Sequence, residues 1–279
     1  MPEATTKYED LSRQDIWAMA KDPNLGQSLR KLPNGKFRRN MVATARTDTP
    51  WAHNTITMDR ACDLWHEVYF QQFSFVPRGC RNCWKISMTL SSVYDLFLLR
   101  EFQKTHLEWE GKCGVDQRRY TPARYAGFWY VPMGFSLEEA RAYYETILTH
   151  LKEEFEPYVV APWKIILKRG CTEMEQHSRR DCGVASDKWD ELFSKSDPLE
   201  DCLNEVFEAD DPAIHEIAQN PSVAIHIERF WIEWAFAIGD ATVWLLDSEK
   251  TLLDKNPSML AYEAYDAGMS ARIEECLTK

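Results

Sequence analysis

The alternation of apolar and polar positions is clearest between residues 80 and 171. Residues 84–90 alternate without a break from Trp84 to Leu90, which is typical of a strand with one buried face. Helical spacing follows over residues 91–106, and two strands are predicted at 111–120 and 125–131. Ser136 and Glu139 have the spacing of a capping box, so a helix is predicted over 136–155. Residues 163–169 alternate again and predict a fourth strand.

This order of strand, helix, strand, strand, helix and strand predicts a ferredoxin-like βαββαβ unit. We expect the sheet order 4-1-3-2, with antiparallel neighbours except for a parallel pair formed by strands 1 and 3. Apolar residues at helical spacing predict a further helix over residues 57–72. The fold class is therefore α+β.

The flanking regions differ from this central unit. Residues 1–56 are polar and contain several prolines and glycines, so we expect an extension of loops and short helices. From residue 187 the pattern is helical throughout, with helix starts signalled by Pro198, Pro212, Pro221 and Pro257. We predict three regions: the extension 1–56, a ferredoxin-like metal-binding domain at 57–186, and an acidic all-helical domain at 187–279.

The charge is concentrated in the last third of the chain. The formal net charge is −11, and residues 183–279 alone hold 7 Lys/Arg against 21 Asp/Glu. Such a region repels nucleic acid and anionic membranes, and it is either a solvated face or a docking surface for a basic protein partner. No run of 18 apolar residues occurs and the N-terminus lacks an apolar leader, so we expect a cytoplasmic protein with no membrane partner.

The eight cysteines need an explanation other than disulfides in a reducing compartment. They are either buried thiols or metal ligands. Cys80 and Cys83 form a C-x2-C knuckle before strand 1, and Cys171 follows strand 4. Because strands 1 and 4 are predicted antiparallel neighbours, these three cysteines should meet at one end of the sheet. The fourth ligand is predicted to be Cys182 or His177, both in a loop after Cys171. The set suits zinc or an iron–sulfur cluster, and the sequence does not choose between them.

A second arrangement of ligands is local. Cys62 and His66 are four residues apart on the predicted helix and share one face. Together with the knuckle they give C-x3-H-x13-C-x2-C, which resembles zinc-ligand spacing, although Cys62 could equally be a packing residue. Cys113 begins strand 2, so we expect it at the opposite end of the sheet and not among the ligands.

Basic and aromatic residues are predicted on the sheet face that points away from the two helices. Strand alternation puts Lys85 and Lys168 there, and strand 3 adds aromatic side chains, a combination with which open sheets bind single-stranded nucleic acid. We expect six cations to form an anion pocket near the cysteines: Lys85, Arg118, Arg119, Arg124, Lys168 and Arg169. Alternatively, the C-terminal helices cover this face.

No reaction is predicted, because phosphate-binding glycine loops, a nucleophile elbow and an HExxH motif are all missing from the sequence. We predict a metal-stabilised protein that binds a phosphate-bearing ligand, namely nucleic acid or a nucleotide. One alternative is an iron–sulfur enzyme or redox protein that acts on an anionic substrate. Another is a zinc-stapled interaction module that uses its acidic helices.

Overall fold

A computed structural model describes residues 29–39, 50–54, 61–118, 121, 123–209 and 221–246, which form a mixed α+β fold. The strands are β1 (Leu29–Lys31), β2 (Phe37–Arg39), β3 (Trp51–His53), β4 (Trp84–Leu90), β5 (Gly111–Val115), β6 (Tyr125–Tyr130) and β7 (Lys164–Arg169). The helices are α1 (62–73), α2 (Arg78–Arg81), α3 (Val93–Thr105), α4 (Leu137–His150), α5 (Thr172–Cys182), α6 (Trp189–Phe193), α7 (Asp197–Val206) and α8 (Pro221–Ile238). Two π-helical segments occur, Trp65–Phe70 within α1 and Leu151–Phe155 directly after α4.

Five strands form one antiparallel sheet in the order β3-β5-β6-β4-β7. The four strands predicted from the sequence therefore lie in the order 4-1-3-2 when they are read from β7. The expected parallel pairing of strands 1 and 3 is wrong, because β4 runs antiparallel to β6, with Lys85 opposite Tyr130 and Leu90 opposite Tyr125. The reason is geometric: the crossover through α3 makes β5 parallel to β4, and the turn into β6 reverses the chain between them.

The N-terminal region contributes strands, although loops and short helices were predicted there. Residues 29–31 and 37–39 pair as a small hairpin closed by Gly35, whose φ of +88° suits a residue without a Cβ. Strand β3 pairs with β5 and extends the main sheet by one strand. The boundary predicted at residue 56 therefore separates β3 from the sheet to which it belongs. Helices were also predicted within residues 1–28, 40–49 and 55–60, which lie outside the described residues.

Helix starts follow their sequence signals where these can be compared. Ser136 and Glu139 form the capping box before α4, and Ser92 caps α3 by accepting from the Asp95 N–H. Helix α8 is described from Pro221, and the predicted capping residue Asn220 lies outside the described residues. The signals at Pro212 and Pro257 lie outside the described residues.

Two clusters of buried side chains make up the core. The first lies between the sheet and helices α3, α4 and α8, and it includes Ile86, Met88 and Trp231. Helix α8 thus packs beside α3, where Trp231 contacts Phe97 at 5.5 Å between ring centroids. Helix α8 therefore does not cover the opposite sheet face, whereas residues 247–279, which the same alternative includes, lie outside the described residues.

The second cluster packs α1, α5 and α7 together around Trp189 and Phe193. It is built from residues before β4 and after β7, which are the two parts of the chain that carry the knuckle and Cys171. The second core therefore determines how the candidate ligands are arranged.

Candidate metal centre

The cysteine knuckle and Cys171 lie at the same end of the sheet. Strands β4 and β7 are antiparallel neighbours with Trp84 opposite Arg169, so the residues just before β4 adjoin those just after β7. The Gly170 N–H donates to the Cys83 carbonyl over 2.6 Å, which fixes this junction. Cys80 and Cys83 are buried and Cys171 is half-buried.

The local arrangement predicted from Cys62 and His66 meets the knuckle at this same place. His66 Nε2 lies 3.2 Å from Cys171 Sγ. Helix α1 approaches the knuckle closely because Gly79 has no side chain: a Cβ there would lie 2.1 Å from the Trp65 ring. The two arrangements that the sequence presented as alternatives therefore form a single cluster.

The thiols influence one another's ionisation. Burial raises the pKa of Cys80, and the charges of Cys171, Cys62 and Cys83 raise it further. Burial alone would lower the pKa of the Lys85 ammonium, but the negative charges of Tyr130 and three cysteines more than compensate, so its pKa is raised. Lys85 is thus the cation around which the thiols gather.

Cys171 accepts hydrogen bonds from two directions. It is the N-cap residue of α5, and its Sγ accepts from the Met174 N–H over 3.2 Å. Burial raises the pKa of Cys171, but the bond from His66 and the charge of Lys85 outweigh it and lower the pKa to about 6. Burial lowers the pKa of His66, and its bond to Cys171 reverses the shift so that the net pKa is raised. A thiolate–imidazolium pair is therefore favoured near neutral pH.

The spacing of the cluster is wider than that of a closed zinc site. Four sulfur ligands at about 2.3 Å from one zinc ion would stand roughly 3.8 Å apart. In the described part of the chain, three donor atoms of His, Cys, Asp or Glu lie within 4.8 Å of one another only at His106, His150 and Glu154. The cysteine cluster is more open than that limit.

Cys182 is not placed beside Cys171, although it was the first choice for the fourth ligand. The segment between them was predicted as a loop, but residues 172–182 form helix α5, with Met174 and Ser178 buried on its inner face. The helix separates the two cysteines by about 16 Å along its axis. The alternative ligand His177 stands closer, with its ring 6.0 Å from the His66 ring, and the Nδ1 atoms of both histidines are buried without a hydrogen-bond partner.

Cys113 also lies elsewhere than predicted. It pairs with Gly127, which pairs with Met88, so it stands midway along β4 and not at the opposite end. The error follows from the assumed parallel pairing. Burial raises the pKa of Cys113 to about 12, with Arg100 and Glu228 as its nearest charges. It is thus separate from the cysteine cluster.

The six predicted anion-binding residues do not form one pocket. Arg124 precedes Tyr125, which pairs with Leu90 at the far end of β4, so it lies away from the cysteines. Arg118 lies near that end too, and it forms a bidentate pair with Asp116. Both misplacements again follow from the assumed parallel pairing, and Arg119 lies outside the described residues.

Apart from Lys85, the predicted cations that stand near the cysteines are neutralised by acidic partners. Lys168 Nζ lies 2.9 Å from Glu175, and Arg169 lies 2.5 Å from Asp190. Acidic residues of the helical third pair with the knuckle as well. These pairs join Arg78 to Glu200 and Asp201, and Arg81 to Asp190 and Asp197. An anion pocket beside the thiols is therefore not available in this arrangement.

The sheet face opposite α3 and α4 carries cations stacked on aromatic rings. Lys85 Nζ lies 4.6 Å from the centroid of Tyr130, and Lys112 Nζ lies 5.0 Å from that of Trp51. The alternation predicted for β4 is confirmed, because Ile86, Met88 and Leu90 are buried while the residues between them are half-exposed. Lys85 thus links this face to the thiols.

A cavity of about 490 Å³ opens at the far end of the sheet. Its lining combines two cations, three hydroxyl or aromatic side chains and apolar contacts: Thr89, Leu90, Ser91, Ala123, Arg124, Pro162, Trp163 and Lys164. Of these, Arg124 was among the predicted anion-binding residues, although it was expected at the cysteine end of the sheet. The cavity lies where β4 ends and β6 and β7 begin, a juxtaposition that no local sequence signal reveals.

Comparison of the chain with protein-family models, with curated proteins and with solved structures gives no match. The functional argument therefore depends on the residues described above. No described helix has the length and apolar character needed to cross a membrane.

Proposed function

We propose that this protein is a metal–thiolate protein in which Cys62, Cys80, Cys83 and Cys171 hold one metal centre. The centre would stabilise a ferredoxin-like unit whose sheet binds a phosphate-bearing ligand. One observation carries the proposal: three separate parts of the chain meet at the cysteines, where His66 Nε2 lies 3.2 Å from Cys171 Sγ and the Gly170 N–H donates to the Cys83 carbonyl over 2.6 Å.

The charge balance of the cluster supports metal binding. Burial and the charges of the neighbouring thiols raise the pKa of Cys80, so without a metal this thiol remains protonated and contributes little beyond packing. A bound metal ion stabilises the thiolate form, and the Lys85 ammonium offsets the negative charge that remains. His66 would then donate a hydrogen bond to the Cys171 sulfur, as metal–sulfur centres commonly accept from their surroundings.

The open spacing favours an iron–sulfur cluster over zinc. The cysteines of a cluster bind different iron atoms and stand farther apart than four ligands of one ion. The set that we propose has four cysteines and includes a C-x2-C pair, which suits such a cluster. Cys62 takes the place that the sequence interpretation gave to Cys182.

The phosphate-bearing ligand is assigned to the far-end cavity and the cationic face beside it. Arg124 and Lys164 supply positive charge, Trp163 supplies a ring on which a base can stack, and Thr89 and Ser91 supply hydroxyls. This combination suits a nucleotide or a short stretch of single-stranded nucleic acid. Binding of a basic protein by the acidic helices is less favoured, since several of their carboxylates pair with the knuckle.

Metal analysis of protein purified without air tests the proposal. We would measure iron, sulfide, zinc and the visible spectrum for the wild type, Cys62→Ser and Cys83→Ser, with Cys182→Ser and Cys202→Ser as matched controls. Iron with sulfide, lost in the first two variants and kept in the controls, is expected. Zinc with the same dependence would keep the site and change the metal. A metal-free wild type, or equal loss in Cys182→Ser, would refute the ligand set.

A second function is favoured by the contact between Cys171 and His66. A thiolate at a helix N-terminus with an imidazole 3.2 Å away is a suitable nucleophile for thiol-based catalysis or redox chemistry. In this case the protein would be purified without metal. At pH 7, iodoacetamide would modify Cys171 faster than the other cysteines. His66→Gln would slow that modification, whereas a metal-bound Cys171 would be protected in both proteins.

A further inference from the structure

Two helices end beside each other at a second group of metal-binding side chains. His106 directly follows α3, His150 is the last residue of α4, and Glu154 lies in the π-helical segment that continues α4. The Glu154 carboxylate bridges the two rings, with Oε2 at 2.9 Å from His106 Nε2 and Oε1 at 2.7 Å from His150 Nδ1. One donor atom from each residue lies within 4.8 Å of the other two.

The histidine rings are held in place before any ligand binds. The His106 ring stacks on Trp109 at 4.7 Å and 13° between planes, and the His150 ring meets the same indole edge-on at 5.0 Å. Trp109 is itself buried. The Asn54 side chain stabilises the segment from Gln103 to Trp109 by donating to the backbone carbonyls of Gln103, His106 and Trp109. Ligands locked by packing in this way lose little entropy when they bind a metal.

An outer carboxylate completes the arrangement. Glu108 Oε1 lies 3.2 Å from His106 Nδ1, the ring nitrogen that points away from Glu154. A metal-bound histidine usually donates its other N–H to a carboxylate in this manner, which fixes the tautomer and leaves the inner nitrogen free to bind. Nothing in a purely structural hydrogen-bond cluster requires this second carboxylate.

We propose that His106 Nε2, His150 Nδ1 and the Glu154 carboxylate bind a zinc ion. Two imidazoles and one carboxylate form a three-ligand set that zinc accepts, with remaining positions open to water or substrate. The side chains of His150 and Glu154 are 39% and 44% exposed, so solvent reaches the site. The nitrogen and oxygen donors distinguish this site chemically from the sulfur cluster proposed above, and it does not depend on that proposal.

Zinc titration by calorimetry, on protein with its cysteine centre as purified, tests the site. The ligand variants are His150→Gln and Glu154→Gln, and Glu108→Gln removes only the outer carboxylate. The matched controls are Glu153→Gln and His226→Gln, which change exposed residues outside the cluster. We expect one added zinc per chain in the wild type and both controls, roughly 10–100-fold weaker binding in Glu108→Gln, and a larger loss in the ligand variants.

A cobalt(II) spectrum distinguishes binding at this site from binding to sulfur, and thermal unfolding shows whether each variant is folded. Cobalt at this site should give weak visible bands without sulfur charge-transfer absorbance. Zinc should raise the Tm of the wild type and of Glu153→Gln but leave that of Glu154→Gln unchanged. Equal zinc affinity in Glu154→Gln and wild type, or no binding by the wild type at micromolar zinc, would overturn the assignment.

Discussion

Asp240 offers the sharpest test of how α8 is fixed to the sheet. Its carboxylate is buried and accepts four hydrogen bonds from three parts of the chain. Oδ2 accepts from the Val93 N–H over 2.8 Å and from the Tyr125 hydroxyl over 2.7 Å. Oδ1 accepts from the Thr242 N–H over 3.0 Å and from its hydroxyl over 2.7 Å. One side chain thus joins the end of α8 to the start of α3 and to β6.

Asp240→Asn keeps the shape of this side chain and removes half of its accepting capacity. Whichever way the amide rotates, its NH2 group faces two positions that supply donors. Two hydrogen bonds to a charged acceptor are worth about 1.5–3 kcal/mol each. The lost charge at the N-terminus of α3 adds up to ~1 kcal/mol. Allowing for partial relaxation, we expect a loss of about 3–5 kcal/mol in the free energy of unfolding.

Urea unfolding followed by circular dichroism and tryptophan fluorescence measures this loss. Tyr125→Phe removes one of the four bonds and should lose about 1.5–3 kcal/mol. Asp187→Asn changes an exposed aspartate and should leave the free energy of unfolding within about 0.5 kcal/mol of wild type. If Asp240→Asn behaved like Asp187→Asn, the packing of α8 beside α3 described above would be refuted.

Two further predictions concern the candidate sites. In Gly79→Ala the new methyl group meets the Trp65 ring, so we expect the free energy of unfolding to fall by about 1–3 kcal/mol and the bound metal to be lost. The double variant Gly79→Ala/Trp65→Leu should recover stability in urea unfolding and metal content in metal analysis. No recovery would mean that contact with Trp65 is not the cause. Arg124→Glu and Lys164→Glu should each weaken binding of a fluorescent single-stranded oligonucleotide or nucleotide about tenfold or more. The control Lys152→Glu changes an exposed lysine and should bind like the wild type. Equal binding by all three variants would show that the far-end cavity is not the ligand site.

Strand alternation predicted much of the sheet because side chains on a strand point to opposite faces whatever surrounds them. The unbroken pattern from Trp84 to Leu90 indicated both the strand and its buried face, and the confirmed order of β4 and β7 brought Cys83 next to Cys171. The mistakes came from a wrong strand direction. It put Arg118 and Arg124 at the cysteine end and Cys113 at the opposite one.

Helix α5 could not be foreseen from local sequence in the same way. Residues 172–182 are polar except for Met174 and Cys182, so their pattern alone suits a solvated turn. The helix is stabilised by tertiary contacts: Met174 enters the second core, and the Ser178 hydroxyl accepts from the Trp189 indole N–H over 3.0 Å. Cys182 was misplaced because these contacts involve residues farther along the chain.

Part of the negative charge of the helical third is used in ion pairs near the cysteines. Its carboxylates at Glu200, Asp197 and Asp190 face Arg78, Arg81 and Arg169, the cations nearest the knuckle. Each of these arginines would otherwise compete for the thiolates or for an incoming anion. With them engaged, Lys85 remains as the cation that the thiols share. These carboxylates therefore neutralise the surroundings of the cysteine cluster and leave one amine to balance its charge.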